Sequence, residues 1–391
     1  MSLRFLSFST LGAGLLTVII SYSSSIAIVL QAAHAAGADS AQLHSWMWAL
    51  GIGVGISTLL PSLLSKTPVV MAWSTPGAAL LATSLGDYSY AEAIGFFLFA
   101  SFLMTLVGLS RLFYHFSRWV PPHLAAAMLA GILVQFGMQL FNAAESNWVM
   151  VLLLLSTFFI TRLFWPRLAL VSALCVGVFY LLATQALHAS ALHWFPAIPV
   201  WQSPAWNLGG LLGVALPLFL VTLSAQNLPG VAMMQSYGYQ PPISPLITTT
   251  GVVGLLLAPF GGFAFNLAAI TAALCLNPDA HPDPKKRYHA AVWAGLFYLG
   301  CGLGGAALIQ FFLAMPKPFI AAIAGLALIG TISQSFGQAF SEPAHRESAL
   351  FAFLATASGI SLFNIGSAFW GLLCGLIVHH LFRSANTPTQ P

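Results

Sequence analysis

Apolar runs recur from Phe5 to Phe382, separated by short polar breaks that hold the turn residues and nearly every charge. Few folds tolerate that pattern. A water-soluble domain needs a polar shell, and about a quarter of its residues are charged; here the share is 5%. With 59% hydrophobic residues and a mean hydropathy of +0.89, the 391-residue chain reads as an all-α polytopic membrane protein. The first run, Phe5 to Ala33, is too long for a cleavable signal and reads as a signal-anchor span that ends near Gln31–Ala33. The net charge of +4 points to no nucleic acid, because basic residues are what orient a membrane protein. Cys175, Cys275, Cys301 and Cys374 lie far apart in apolar sequence, so they form no metal or redox pattern and read as buried small hydrophobes.

Fourteen segments follow from the hydropathy: 5–33, 44–65, 75–85, 90–110, 122–142, 147–162, 167–187, 206–227, 243–258, 266–276, 288–314, 318–336, 347–362 and 366–382. Two of them, 75–85 and 266–276, are too short to cross alone. The charges test this count. With the N-terminus inside, Arg4, Lys66, Arg111, Arg118, Arg162, Arg167, Lys285, Lys286, Arg287, Arg346 and Arg383 fall on the cytoplasmic side, and only Lys317 falls outside. That asymmetry is what orientation by basic residues requires. It also places both termini in the cytoplasm, and it holds only if each short segment, with an extended lead-in, completes a crossing.

The short segments resemble one another. VVMAWSTPGAALLATSL (69–85) lies over PFGGFAFNLAAITAALC (259–275) at a shift of 190 residues. Each is the third segment of a seven-segment half, so the second half is inverted. Paired, Gly/Pro-interrupted segments at matching places mark a transporter's binding site. Pro76 suits a helix start, Ser74 or Thr75 can cap it, and Asn266 can cap the other short helix. Gly261 and Gly262 permit an unusual backbone. The two helix starts then face each other with partial positive charge, an anion site without a buried cation. Trp73, Phe260, Phe263 and Phe265 would supply flat apolar surfaces beside it. The alternative is that Gly261–Gly262 and Pro76 only kink ordinary spans, since small residues often serve close packing.

Gln226 and Asn227 end an apolar run just before Pro229-Gly230 and must either bridge helices or meet a ligand. Ser21, Tyr22, Ser23, Ser24 and Ser25 put five hydroxyls inside the first span, and at least one should face a wet cavity. The acids (Asp39, Asp87, Glu92, Glu145, Asp279, Asp283, Glu342 and Glu347) all fall at loops or helix ends. Asp87 and Glu92 are the proton-coupling candidates, although a solvated turn and a helix start explain them as well; the substrate itself could also carry the proton. The histidines show no close pair inside the membrane, and no metal site or cofactor is expected.

The stretch PFGGFAFNLAAITAALCLNPDAHPDPKKR (259–287) resembles the bacterial benzoate/proton symporter family. So do SAQNLPGVA (224–232), AWSTPGAALL (72–81), HLAAAMLAGI (123–132), ALPLFLVTLSAQN (215–227) and GSAFWGLL (366–373). The likeness runs essentially end to end. It implies the seven-plus-seven inverted-repeat fold of nucleobase and sulfate transporters, with a core domain (1–110 and 201–316) and a gate domain (111–200 and 317–391). Carried onto this chain, the site would be lined by Tyr22, Ser24, Ser25, Trp73, Ser74, Thr75, Gln226, Asn227, Gly262, Phe263 and Asn266. Family members often have histidine where Phe263 stands, so one polar contact is missing here. The implied activity is uptake of benzoate or a related aromatic carboxylate with protons across the bacterial inner membrane by alternating access, with a homodimer as the expected assembly. A nucleobase or other organic-anion carrier, or a passive anion channel, is the alternative. Gln226 and Asn266 stand where nucleobase carriers place acids, which disfavours the first. An intramembrane enzyme would need a nucleophile with a base, a metal set or a cofactor motif, and the sequence offers none.

Overall fold

In the computed structural model, residues 7–111, 113–116, 121–187, 197–363 and 365–385 are described; Arg4 and Arg118 lie outside them. The order is α1 (Phe8–Ala35), α2 (Ser40–Ser65), β1 (Met71–Trp73), α3 (Thr75–Ser84), α4 (Tyr90–Ser110), α5 (Pro122–Phe164), α6 (Ala169–Ala183), α7 (Leu208–Ser236) and α8 (Ile243–Leu257). There follow β2 (Phe265–Leu267), α9 (Ala272–Leu276), α10 (Tyr288–Leu303), α11 (Gly305–Leu313), α12 (Lys317–Ala339), α13 (Arg346–Ala357) and α14 (Ser367–Ala385). Eight helices among the described residues are long and apolar enough to cross a membrane. Continuous helix is what a lipid environment imposes, since every backbone polar group must be satisfied within the segment.

Helix starts follow local chemistry. Asp39 and Gln42 form a reciprocal capping box at α2, and Ser89 with Glu92 does the same at α4. The first helix runs to Ala35, two residues past the expected end. The helical path of α5 breaks at Asn147 (φ −157°, ψ 85°), the first residue of the expected segment 147–162. The Asn147 Oδ1 accepts the Met150 N–H at 3.0 Å and so caps the continuing helix.

The helices pack in two groups. In one, α1 packs on α3 and α10, α2 on α10, and α4 on α8; in the other, α5 packs on α6, α12, α13 and α14. Glycines set the closest crossings: a Cβ on Gly51 of α2 would overlap Gly302 of α10. Close approach through small residues is how helices associate without a hydrophobic drive between them. Only Cys275 is fully buried; Cys175 is exposed and the other two are half-buried. That bears out the expectation for Cys275 and corrects it for the other three, since a thiol is apolar enough to sit at the surface of a membrane protein.

The two glycines of PFGG end a helix. After Leu257 a 3₁₀ turn, Ala258–Phe260, leads to Gly261, which has φ +94°. The Gly261 N–H donates to Ala258 O (2.8 Å) and the Gly262 N–H to Leu257 O (2.9 Å), the paired bonds of a Schellman stop. A Cβ at Gly261 would overlap the Trp46 indole. Further on, the buried Arg287 donates to Leu276 O at 2.9 Å and His281 O at 2.8 Å. The last basic residue of PDPKKR therefore clamps the end of α9, besides any part in topology. Gly261→Ala should lower stability by at least about 1–2 kcal/mol, from the left-handed backbone alone. Thermal unfolding of the detergent-purified protein would register it, and an unchanged midpoint would contradict the assigned stop.

Candidate functional site

Two extended lead-ins meet. β1 pairs antiparallel with β2 in the register Met71↔Leu267, Ala72↔Asn266 and Trp73↔Phe265. The pairing continues at both ends, with the Ser74 N–H donating to Ala264 O (3.0 Å) and the Ala268 N–H to Val70 O (2.9 Å). Helices supply partners for the remaining edges. Thr58 Oγ1 on α2 accepts the Met71 N–H at 3.0 Å, and Ser62 Oγ donates to Val69 O at 2.9 Å. Asn227 Oδ1 on α7 accepts the Leu267 N–H at 2.9 Å. Within a membrane, backbone outside a helix is tolerated only when buried in protein with such partners.

The first short helix begins as expected. Ser74 caps α3, its Oγ accepting the Gly77 N–H at 2.9 Å, with Pro76 in the first turn. The second departs from expectation. Asn266 does not cap it but lies inside β2, and its Nδ2 donates to Ala264 O at 3.0 Å. Because the Ala268 N–H is held by Val70, helix α9 starts only at Ala272 and spans five residues. In an antiparallel ribbon the two helices also leave from opposite ends, about 10 Å apart for three residues at ~3.3 Å each. Most of the helix-dipole charge at this place thus comes from α3. The turn into β2 is strained at Ala264 (φ +45°), a cost of roughly 1–2 kcal/mol for a residue other than glycine.

The aromatic residues divide between the two sides. Trp73 Nε1 donates to Ser25 Oγ (2.9 Å), which donates to Ser21 O (2.6 Å). The Tyr22 ring meets Trp73 edge-on at 5.0 Å, and Tyr298 of α10 lies 6.0 Å from both. Tyr22 is buried, and its Oη has no hydrogen-bond partner among the described residues. Tyr298 sits in a plain apolar run, so sequence reasoning missed it. Phe263 packs instead with Trp46 (5.4 Å) and Phe97 (5.6 Å), while Phe260 packs with Trp48 (5.6 Å) and Trp201 (5.5 Å). Neither stands beside Trp73. Gly262 closes the α8 stop, and a Cβ there would meet Leu257.

In α7 the turn Thr222–Asn227 is π-helical, a local widening found often at functional sites. Pro229 returns no N–H to that turn, and Gln226 Nε2 donates to Ala225 O at 2.9 Å. The second Asn227 contact is Nδ2 to Met104 Sδ at 3.6 Å. Ser24, Thr75 and Gln226 are half-buried, whereas Ser25, Ser74, Asn227 and Asn266 are fully enclosed. The Asn266 Oδ1, like Tyr22 Oη, is a buried polar atom for which no hydrogen bond is formed among the described residues. Asp87 is exposed in the turn before α4. The Glu92 carboxylate is held by the Ser89 cap and by Asn207 Nδ2 at 2.9 Å.

Away from this region, His123, His345 and His379 come together from the ends of three helices. Separations of 222 and 34 residues hid that grouping from the sequence, where the histidines showed no close pair inside the membrane.

A family model described as benzoate membrane transport protein matches residues 4–381. The chain belongs to the benzoate membrane transport protein family. It is therefore a membrane transporter and not an enzyme. It is similar to the inner membrane protein YdcO of Escherichia coli (45% identity over 366 residues, 94% of each chain). It also resembles the benzoate membrane transport protein of Acinetobacter baylyi (38% over 369 residues, 94% of each chain). Among solved structures, the transmembrane domain of the cyanobacterial bicarbonate transporter BicA superposes with a TM-score of 0.61 at 16% identity, over 96% of this chain and 98% of that one. SLC26A9 gives 0.63 at 12%, covering all of this chain and 67% of its own. At such identities the likeness shows the fold alone.

Asn227→Ala should leave the Leu267 N–H buried without an acceptor, a loss of about 1–3 kcal/mol. Thermal unfolding, with faster amide exchange in peptides spanning 263–270, would report it; exchange unchanged from the parent would contradict this anchoring.

Proposed function

We propose that the protein is a secondary active transporter that imports benzoate or a related aromatic carboxylate with protons across the bacterial inner membrane. Its fourteen segments form two inverted seven-segment repeats with both termini cytoplasmic. A core (1–110 and 201–316) moves against a gate (111–200 and 317–391) by alternating access. The two groups of packed helices, α1–α4 with α7–α10 and α5–α6 with α12–α14, support this division. Family membership and the likeness to the Acinetobacter baylyi benzoate transport protein support the substrate class, and the likeness to the Escherichia coli inner membrane protein supports the membrane.

One observation carries the site: a ribbon joins two interrupted segments beside the Tyr22–Trp73–Tyr298 aromatic cluster. A carboxylate would sit at the start of α3, where the dipole is positive and the Ser74 hydroxyl, already accepting from Gly77, still has its hydrogen to donate. The aryl ring would lie along Trp73 and Tyr22. Ser24, Thr75 and Gln226 are partly exposed polar groups within or beside apolar segments, which suits a wet cavity better than lipid. Ser25, Asn227 and Asn266 shape the site from behind. The Tyr22 hydroxyl, buried without a partner among the described residues, is held ready for the ligand.

Reconstituted in proteoliposomes, the protein should accumulate labelled benzoate above equilibrium only under an inward proton gradient. Flux that merely equilibrates would identify a channel. Because the Tyr22 hydroxyl has no partner among the described residues, Tyr22→Phe should leave the unfolding temperature unchanged. It should raise the KM for uptake roughly tenfold or more, the worth of a hydrogen bond to a charged group. An unaltered KM would remove Tyr22 from the site.

A further inference from the structure

Three imidazoles meet at one end of the helix group built on α5. His123 lies in the first turn of α5, His345 just before α13, and His379 in the last turns of α14. One ring nitrogen from each lies within 4.8 Å of the other two. Ring centroids are 4.4 Å apart for His123 and His345, 5.1 Å for His123 and His379, and 5.0 Å for His345 and His379. All three residues are half-buried. None belongs to the ribbon or its surroundings.

We propose that this triad binds a divalent transition-metal ion, zinc in the first instance. Imidazole is the side chain that suits zinc, copper, iron and nickel, whereas magnesium and calcium want oxygen. Three histidines with an open fourth position are an established zinc donor set. Neighbouring groups orient two of the rings. Ser348 Oγ donates to His345 O at 2.9 Å, so towards His123 Nε2, 3.4 Å away, it can only accept. That leaves Nδ1 of a neutral His123 with its lone pair. Glu342 Oε2 lies 3.4 Å from His345 Nε2, the carboxylate–imidazole pairing that commonly stands behind a metal ligand.

The geometry needs a small contraction. Nitrogens bound tetrahedrally at about 2.0–2.1 Å lie roughly 3.4 Å apart, so the rings must close by up to about 1.4 Å. The His123 and His345 rings are stacked, with only 9° between their planes, and parallel lone pairs cannot converge. One ring must turn about its χ2, and its terminal sp³–sp² torsion is soft. Three neutral imidazoles sharing one cation would also tie the start of α5 to the start of α13 and the end of α14.

The test uses the full-length, tag-free protein, stripped with a chelator and dialysed against zinc, with bound metal measured by mass spectrometry. One zinc per chain is expected, together with a higher unfolding temperature. His123→Ala, His345→Ala and His379→Ala should each weaken binding at least tenfold, while His380→Asn, next to the triad on α14, should keep it. Cobalt in place of zinc should give the absorption bands of a tetrahedral site. A stripped wild type that takes up no zinc, or triad variants that bind as the parent does, would overturn the proposal. The binding readout requires no transport, so it stands apart from the reading of the substrate site.

Discussion

Backbone hydrogen bonding at the ribbon is the constraint on which the rest of this structure depends. A peptide group buried in lipid without a partner costs several kcal/mol, so a membrane segment that stops being helical must find partners at once. Here the interrupted segments supply them to each other, through the pairing of Met71–Trp73 with Phe265–Leu267. Thr58, Ser62 and Asn227 reach in from α2 and α7 to finish the edges. Hydroxyls and an amide inside apolar helices, expensive when alone, are here the completion of a sheet two strands wide.

The helices were legible because lipid demands unbroken apolar runs, and hydropathy reads those directly. Even the junction inside the long α5 was anticipated to within a residue, because the break at 143–146 separates two apolar runs and the helical path breaks at the next residue, Asn147. Strand pairing was not legible. Three residues carry no periodic signal, and the partners lie nearly two hundred positions apart. Asn266 shows the consequence: its residue type suits a helix cap, but the long-range bond from Ala268 to Val70 outcompetes local helix formation. Phe263 was misplaced for a related reason. The turn at Ala264 decides which side of the ribbon each aromatic faces, and no rule of spacing anticipates a left-handed alanine.

Family likeness and physical reading converge unevenly. Motif resemblance identified the transporter family across the whole chain, as the matched family model shows. It carried less at the level of single side chains. Tyr298 entered the aromatic cluster only through geometry, and the Gly262 N–H proved to close α8. Glu92, a proton candidate by its charge, turned out to be bonded at both carboxylate oxygens, one to the Ser89 cap and one to Asn207.

The ribbon also restricts how such chains can vary in length. Side chains alternate faces along a strand, so an insertion or deletion of one residue between Thr58 and Ser74 would turn Trp73 away from Ser25 and unmatch the bonds across to Ala264 and Leu267. Surface loops in general tolerate insertions. These few positions cannot, and the spacing from the α2 hydroxyls to the α3 cap is in effect a fixed ruler.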